Sequence, residues 1–570
     1  MSTIPHMFAH VPPGRPSVRA AYHAWLRGRT PLGNAEPAPG GSPPPRLGPL
    51  RVGIAGGGMA GLYAALLLQS RGVEVHVFEA HPERLGGRVY THRFTPEPNQ
   101  YFEAGAMRLP EIPEQQPVFE LIDFLNERVP PEDRIETIPY VLFDDTGNLV
   151  LVNGKRLPDG RAMTAAYADD HPDALGFPLT GRDRRRTASQ LLDEVLGRFH
   201  RLLERDFEAG FRELMRWDNY SLYGYLSQVA RWKDETVNYA EVMTSQTNQF
   251  QNSFTELVIE TLDFSTAAWK TIEDGMDRLP RAAAQLVGPE NITLGARVYR
   301  LEELPDGRVA IHHTAGAPAV FDKVIAAVPP AVLRMWQTPQ WPVTKEQAIR
   351  SLHFEPLYKI GMRFGTRFWE QVPRPARGGQ SITDLPSRWF VYPSYGIGDA
   401  GPGALLLYSW MTDAYGWLPQ SREERERIAL RDLQTVYGDE VDVAGQFIES
   451  FDVAWPNEWA TGDAMFFPGQ FRHLFNVARQ PEGNVHFAGE HLSVNHTWIV
   501  GALDSALLAC QQILQDPNLQ PLRAGTARRV DPHTYDYTPV LDVEPIPLAA
   551  TVPVPDELLN RPVRWQFASL

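Results

Sequence analysis

The sequence predicts an α/β fold, α+β overall, and three observations carry that prediction. The stretch Leu50–Glu79, LRVGIAGGGMAGLYAALLLQSRGVEVHVFE, reads in order as strand, glycine turn, helix and second strand. From about Thr187 to Thr271, apolar residues recur at intervals of three and four with charges between them, as in SQLLDEVLGRFHRLLERDFEAGFRELM. From about residue 335 to 455, LYKIGMRF, RWFVYPS and ALLLYSW read as strands of a mixed sheet. A Rossmann-like unit, a helical subdomain and a mixed-sheet region are therefore expected in a chain of 570 residues, which is too long for one compact core.

In the first of these, Gly56, Gly58 and Gly61 fill the glycine positions of G-x-G-x-x-G where the helix opens. The three serve a tight turn, close approach of backbone to a pyrophosphate, and close packing of helix on strand. The helix N-terminus offers unpaired N–H groups and a positive dipole end to phosphates. Glu79 closes the second strand, where a carboxylate can accept the two hydroxyls of an adenosine ribose. Leu85-Gly86-Gly87-Arg88 follows directly, a second glycine pair with Arg88 suited to the same pyrophosphate. This run resembles the GG-doublet of the FAD-dependent amine oxidase superfamily, and FAD is the cofactor it implies.

The resemblance implies a discontinuous FAD-binding domain. TIEDGMDRLPRAAAQLV is similar to the family's I-x-G-G-M-x-x-L-P segment, with Asp274 at the first glycine position. Val298, in GARVYRLE, falls where the family packs backbone against adenine, and VIAAVPP matches the strand leading out of the nucleotide fold. NVHFAGEHLSVNHTWIVGALDSALLACQQIL supplies its last strand and closing helix. The expected boundaries are FAD-binding segments at 49–112, 273–332 and 456–516, a helical subdomain at 113–272 and a substrate-binding domain at 333–455. A Pro/Gly-rich arm at 1–48, with a short helix at Ser17–Leu26, would lie over the surface or reach a partner subunit, and a homodimer is expected. Residues 517–570 form a proline-rich tail.

Gly489 and Glu490, in FAGE, match the strand–glycine–acid ending of FAD oxidoreductases, whose carboxylate meets the ribityl or pyrophosphate region. Trp498 and Ile499 open the closing helix, where the resemblance places a backbone N–H against the flavin N1–C2 carbonyl side and Trp498 beside the substrate. Met107 and Arg108 stand in GAMRLP. The phrase GGQSITDLPSRWFVYPS, from Gly378 to Ser394, resembles the G-G-x-S-x-T-D-L-P-x-R…Y-P signature of L-amino-acid oxidases. That resemblance, which covers about residues 50–515, implies that Arg108 forks onto a substrate carboxylate while the Tyr392 hydroxyl donates to it. It implies a catalytic role for Lys359, held near flavin N5 through a water. Glu355, four residues earlier, falls towards the substrate side-chain end of the pocket in related oxidases, where a carboxylate suits an ammonium or guanidinium.

The expected reaction converts an L-amino acid and dioxygen to a 2-oxo acid, ammonia and hydrogen peroxide, with basic side chains favoured through Glu355. Two alternatives stay open. One is an amino-acid 2-monooxygenase, which shares the fold and clamp but gives an amide. The other is a non-catalytic binding protein of the GDP-dissociation-inhibitor type, against which Arg88, Glu490 and Lys359 speak together. A net charge of −15 argues against nucleic acid, and no apolar run is long enough for a membrane span. The first residues lack a signal pattern, so a cytoplasmic home is expected, with secretion left open. The one cysteine, Cys510, excludes an internal disulfide and reads as core, and His491 and His496 are too few for zinc, so no metal is expected.

Overall fold

The computed structural model describes residues 49–522, apart from 245–247, 265–267, 517–518 and 520. The arm at 1–48, its helix at Ser17–Leu26 and nearly all of the tail lie outside the described residues.

β1 (Arg51–Ala55) is buried on both faces after its first residue, as a central parallel strand requires. The chain turns through the glycines into α1 (Met59–Gln69), which is apolar almost all round and buried at ten positions. Gly72, at φ +72, lets the chain return into β2 (Glu74–Phe78). Two distant segments add β3 (Ile292–Thr293) and β4 (Lys323–Ala326) to this sheet. The parallel order is β3-β2-β1-β4, completed beyond β4 by a strand at Val485–Phe487. Strands from four separated stretches thus share one sheet. A long apolar helix, Ile499–Leu514, packs against α1, and its Cys510 is fully buried there beside Ala64.

A second, seven-stranded mixed sheet runs in the order Phe447–Trp455, Leu357–Phe364, Gly403–Trp410, Trp389–Val391, Gln380–Thr383, Leu149–Leu151 and Met163–Thr164. Its last two strands come from the stretch expected to be helical. LVLVNG is a run of β-branched and leucine side chains ended by Asn-Gly, and Leu149–Leu151 pairs in parallel with Gln380–Thr383. Thr137–Pro139 is also a strand, against Trp269–Ile272. Residues 113–272 are therefore helical only in part, chiefly Gln116–Asn126 and the run of helices from Ala188 to Glu260.

Side-chain alternation divides the seven-stranded sheet into two faces. Tyr358, Ile360, Phe390, Leu405 and Leu407 face one core, while Trp389, Val391, Leu406 and Tyr408 face another with Phe102 and Met107. The second face looks towards the nucleotide-type sheet. Among the described residues, no helix is long and apolar enough to cross a membrane.

Candidate active site

Between the two sheets lies a cavity of about 260 Å³. Gly56, at φ +113, makes the turn, and a Cβ there would meet Ala327 O at 2.5 Å. A Cβ on Gly61 would fall 1.9 Å from Gly56 O, so Gly61 packs the helix onto the turn and does not line the cavity. Gly58 differs. The nearest atom to a Cβ placed on it is Gly87 Cα at 4.0 Å, and both glycines line the cavity. They face each other across open space beside the N-terminus of α1, a cradle that a side chain would fill.

At the end of β2, Glu79 accepts from the N–H groups of Gly57 and His81, each at 2.8 Å. Beyond it the wall is Ala296, Arg297, Val298 and Trp459, with the Arg297 guanidinium 5.1 Å from the Trp459 ring centre. Arg88 donates to Glu490 at 2.8 Å and to Gly462 O at 2.7 Å. Glu490 also accepts from the N–H groups of Ala464 and Thr497. Burial raises the Glu490 pKa, but Arg88 and the neighbouring His496 and His491 more than offset it, so the group stays below the usual carboxylate value. Gly489, Glu490, Trp498 and Ile499 line the cavity, and the helix starting at Ile499 turns its N-terminus to it.

Towards the seven-stranded sheet the lining changes to Met107, Arg108, Leu357, Lys359, Tyr408, Trp410 and Trp455. Lys359 donates to Gly105 O at 2.5 Å and Glu103 O at 3.3 Å, and burial pulls its pKa down to about 7. Arg108 is 9% exposed, its guanidinium 5.6 Å from the Trp269 ring centre and 5.7 Å from that of Phe264. Its charge opposes the rise that burial causes in the Tyr140 hydroxyl, while its buried Nη1 has no hydrogen-bond partner among the described residues.

Two expected substrate contacts are corrected. Tyr392 does not face Arg108. It follows Val391 on the other side of the strand alternation, fully buried, with its hydroxyl 2.8 Å from those of both Ser381 and Tyr437. Val391 holds the inward position, and Tyr140 and Tyr408 are the hydroxyls on Arg108's side. Glu355 does not line the cavity either. The chain at Gly462 passes directly over its backbone, leaving no room for a Cβ, and its carboxyl lies 3.4 Å from His353 Nδ1. Two further acids that do line the cavity, beside Glu79, Glu458 and Glu490, are Glu260 and Asp463, which were not singled out from sequence. Glu260 had a signal: Glu256, Glu260 and Asp263 are spaced to share one helical face in a segment otherwise apolar.

Residues 59–514 match the family of flavin containing amine oxidoreductases. The chain belongs to that family. The L-amino-acid oxidase of Siganus canaliculatus is 29% identical over 81% of this chain and 85% of that protein. L-amino-acid oxidase 4 of Hebeloma cylindrosporum is 30% identical over 83% and 82%. A longer Dictyostelium discoideum protein, named as an amine oxidase, is 34% identical over 83% of this chain, which spans 47% of that protein. Putrescine oxidase, in a solved structure bound to putrescine, superposes over 82% of this chain with a TM-score of 0.63 at 19% identity, a likeness of fold. The resemblance seen in the motifs is thus borne out, and this flavin-containing amine oxidoreductase is an FAD-dependent enzyme. Its residues fit FAD: the open Gly58–Gly87 cradle suits a pyrophosphate, and two helix N-termini open on the same cavity.

Proposed function

We propose that this enzyme oxidises L-amino acids at the α-amine, giving a 2-oxo acid, ammonia and hydrogen peroxide. The observation that carries this reading is Arg108, a buried guanidinium on the cavity wall with one nitrogen unpaired among the described residues. A buried charged donor without a partner is costly, and a ligand carboxylate would satisfy it in a fork that a simple amine cannot make. Bound FAD would supply the hydride acceptor and return the electrons to dioxygen. The protein's part is to hold the carboxylate on Arg108, confine the amino acid between Trp498, Tyr408 and Trp410, and keep Lys359 at the reacting end. Water hydrolyses the imino acid formed when the Cα–H and an N–H are lost. We assign Glu79 and Val298 to the adenosine end, Gly58, Gly87 and Arg88 to the pyrophosphate, and Glu490 and Ile499 to the ribityl and flavin ends.

The test is product analysis of the FAD-loaded protein with L-amino acids under air. Stoichiometric 2-oxo acid, ammonia and peroxide support the reading. An amide with carbon dioxide would make the enzyme a monooxygenase instead.

A further inference from the structure

We propose that Asp463 and Glu260 form an anionic side-chain subsite, and that the substrates this enzyme prefers are L-amino acids with a cationic side chain, arginine or lysine. The proposal rests on the amino-acid oxidase reading above and names the substrate class of that same cavity.

Two observations carry it. Asp463 is 9% exposed, lines the cavity, and its buried Oδ1 has no hydrogen-bond partner among the described residues. Glu260 ends the helix Phe254–Glu260, lines the same cavity, and receives one contact from a neutral group, Gln249 Nε2 at 2.5 Å. Among the described residues neither carboxyl is in an ion pair, although the charges of Arg88 and Lys359 act on Asp463. The neighbouring acids do have partners: Glu256 pairs with His496 at 2.9 Å, Asp263 accepts from Trp498 Nε1 at 2.7 Å, and Glu490 holds Arg88. Three of the cavity's basic groups are already committed. Arg88 is on Glu490, Lys359 is on two backbone carbonyls, and Arg108 is reserved for a carboxylate. What the pocket lacks is therefore one anion at Arg108 and one cation at Asp463 and Glu260.

The α-amine is a poor candidate for that cation. It can lose hydride from Cα only as the free base, and a carboxylate beside it would favour the ammonium form. A guanidinium or ammonium at the end of a side chain carries no such conflict. Its methylenes would run along Tyr408, Trp410 and Phe264, which line the cavity, and a planar guanidinium also stacks on such rings. Burial raises both carboxyls, Glu260 to about 8 with help from Glu256 and Asp463 to about 7 with help from Glu490, and an arriving cation would reverse that. An apolar side chain would leave them unpaired, so discrimination comes as much from that penalty as from attraction.

The experiment measures kcat/KM of the FAD-loaded enzyme for L-arginine, L-lysine, L-leucine and L-phenylalanine, in the wild type and in Asp463→Asn and Glu260→Gln. In parallel, 5-guanidinopentanoate and heptanoate, which keep the carboxylate but lack the α-amine, are titrated against the flavin absorption spectrum. The expected result is a wild type that prefers arginine or lysine, and a basic-to-apolar ratio that drops roughly 30-fold or more in Asp463→Asn. The guanidino acid should bind the wild type more tightly than heptanoate. A wild type preferring leucine or phenylalanine, or binding heptanoate as tightly, overturns the subsite and leaves the oxidase reading standing. An equal loss on all four substrates in the variants would also overturn it, by placing Asp463 at the shared α-amino end. No turnover of any L-amino acid would overturn both.

Discussion

Arg108 shows what a single side chain contributes here. Its packing beside Trp269 and Phe264 keeps the guanidinium in place without consuming its donors, so the fork stays available. Arg108→Ala should keep the flavin absorption spectrum and lose about 2–5 kcal/mol of transition-state binding, the range for truncating one partner of a buried charge pair. Steady-state kcat/KM alongside the spectrum checks this, and Arg108→Lys should recover little, because a point charge cannot fork. Lys359 makes a different prediction. Burial holds its pKa near 7, so the ammonium is present below that pH and lost above it. A cation near the reacting end should stabilise negative charge developing on dioxygen. Flavin reoxidation should therefore slow as pH rises through about 7, and Lys359→Met should be slow at every pH while anaerobic reduction changes less. Rapid-mixing of the two half-reactions separates them.

At the scale of the element, the fingerprint turn separates two jobs that its three glycines share in sequence. Gly61→Ala would drive a Cβ into Gly56 O and should prevent the turn from closing, seen as poor soluble yield. Gly58 has an ordinary φ of −75°, and a Cβ there meets nothing nearer than 4.0 Å, so Gly58→Ala should fold. It should nevertheless lose FAD, since the methyl occupies the space between Gly58 and Gly87. The readout is a colourless protein whose melting temperature matches that of the wild-type apoprotein and no longer rises with added FAD. The short ladder in which Glu355 stands opposite Asp463 gives a second test. Burial, with Asp463 and Glu256 nearby, raises the Glu355 carboxyl from 4.5 to about 8. Folding then favours its protonated form, and the stability this confers is lost as pH rises through about 8. Glu355→Gln does not titrate, so its stability relative to the wild type should grow between pH 5 and 8, by at most about 1.4 kcal/mol per unit. Denaturant titrations at several pH values measure that gap, and a constant gap would contradict it.

Across the whole molecule, what could be read from sequence was what is contiguous. Leu50–Glu79 holds strand, turn, helix and acid within one stretch, and of its expected cofactor residues Gly56, Gly58 and Glu79 line the cavity while Gly61 packs the helix on the turn. The return of distant strands to the same sheet was visible only through short segments such as VIAAVPP and NVHFAGE. Side-chain direction was the harder quantity. Tyr392 and Val391 differ by one residue, yet strand alternation sends one to the core behind the sheet and the other towards the cavity. Asp463 and Glu260 are 203 residues apart and meet through tertiary packing alone, so no local pattern pairs them. Glu355 was near the right place in sequence and on the wrong side of its neighbour in space. The central claim, that a carboxylate held by Arg108 presents Cα–H to the flavin, is tested most directly by anaerobic mixing of the FAD-loaded enzyme with an L-amino acid, its D-enantiomer and the corresponding decarboxylated amine. The account predicts rapid bleaching of the flavin by the L-form alone, and comparable bleaching by the amine or the D-form would contradict it.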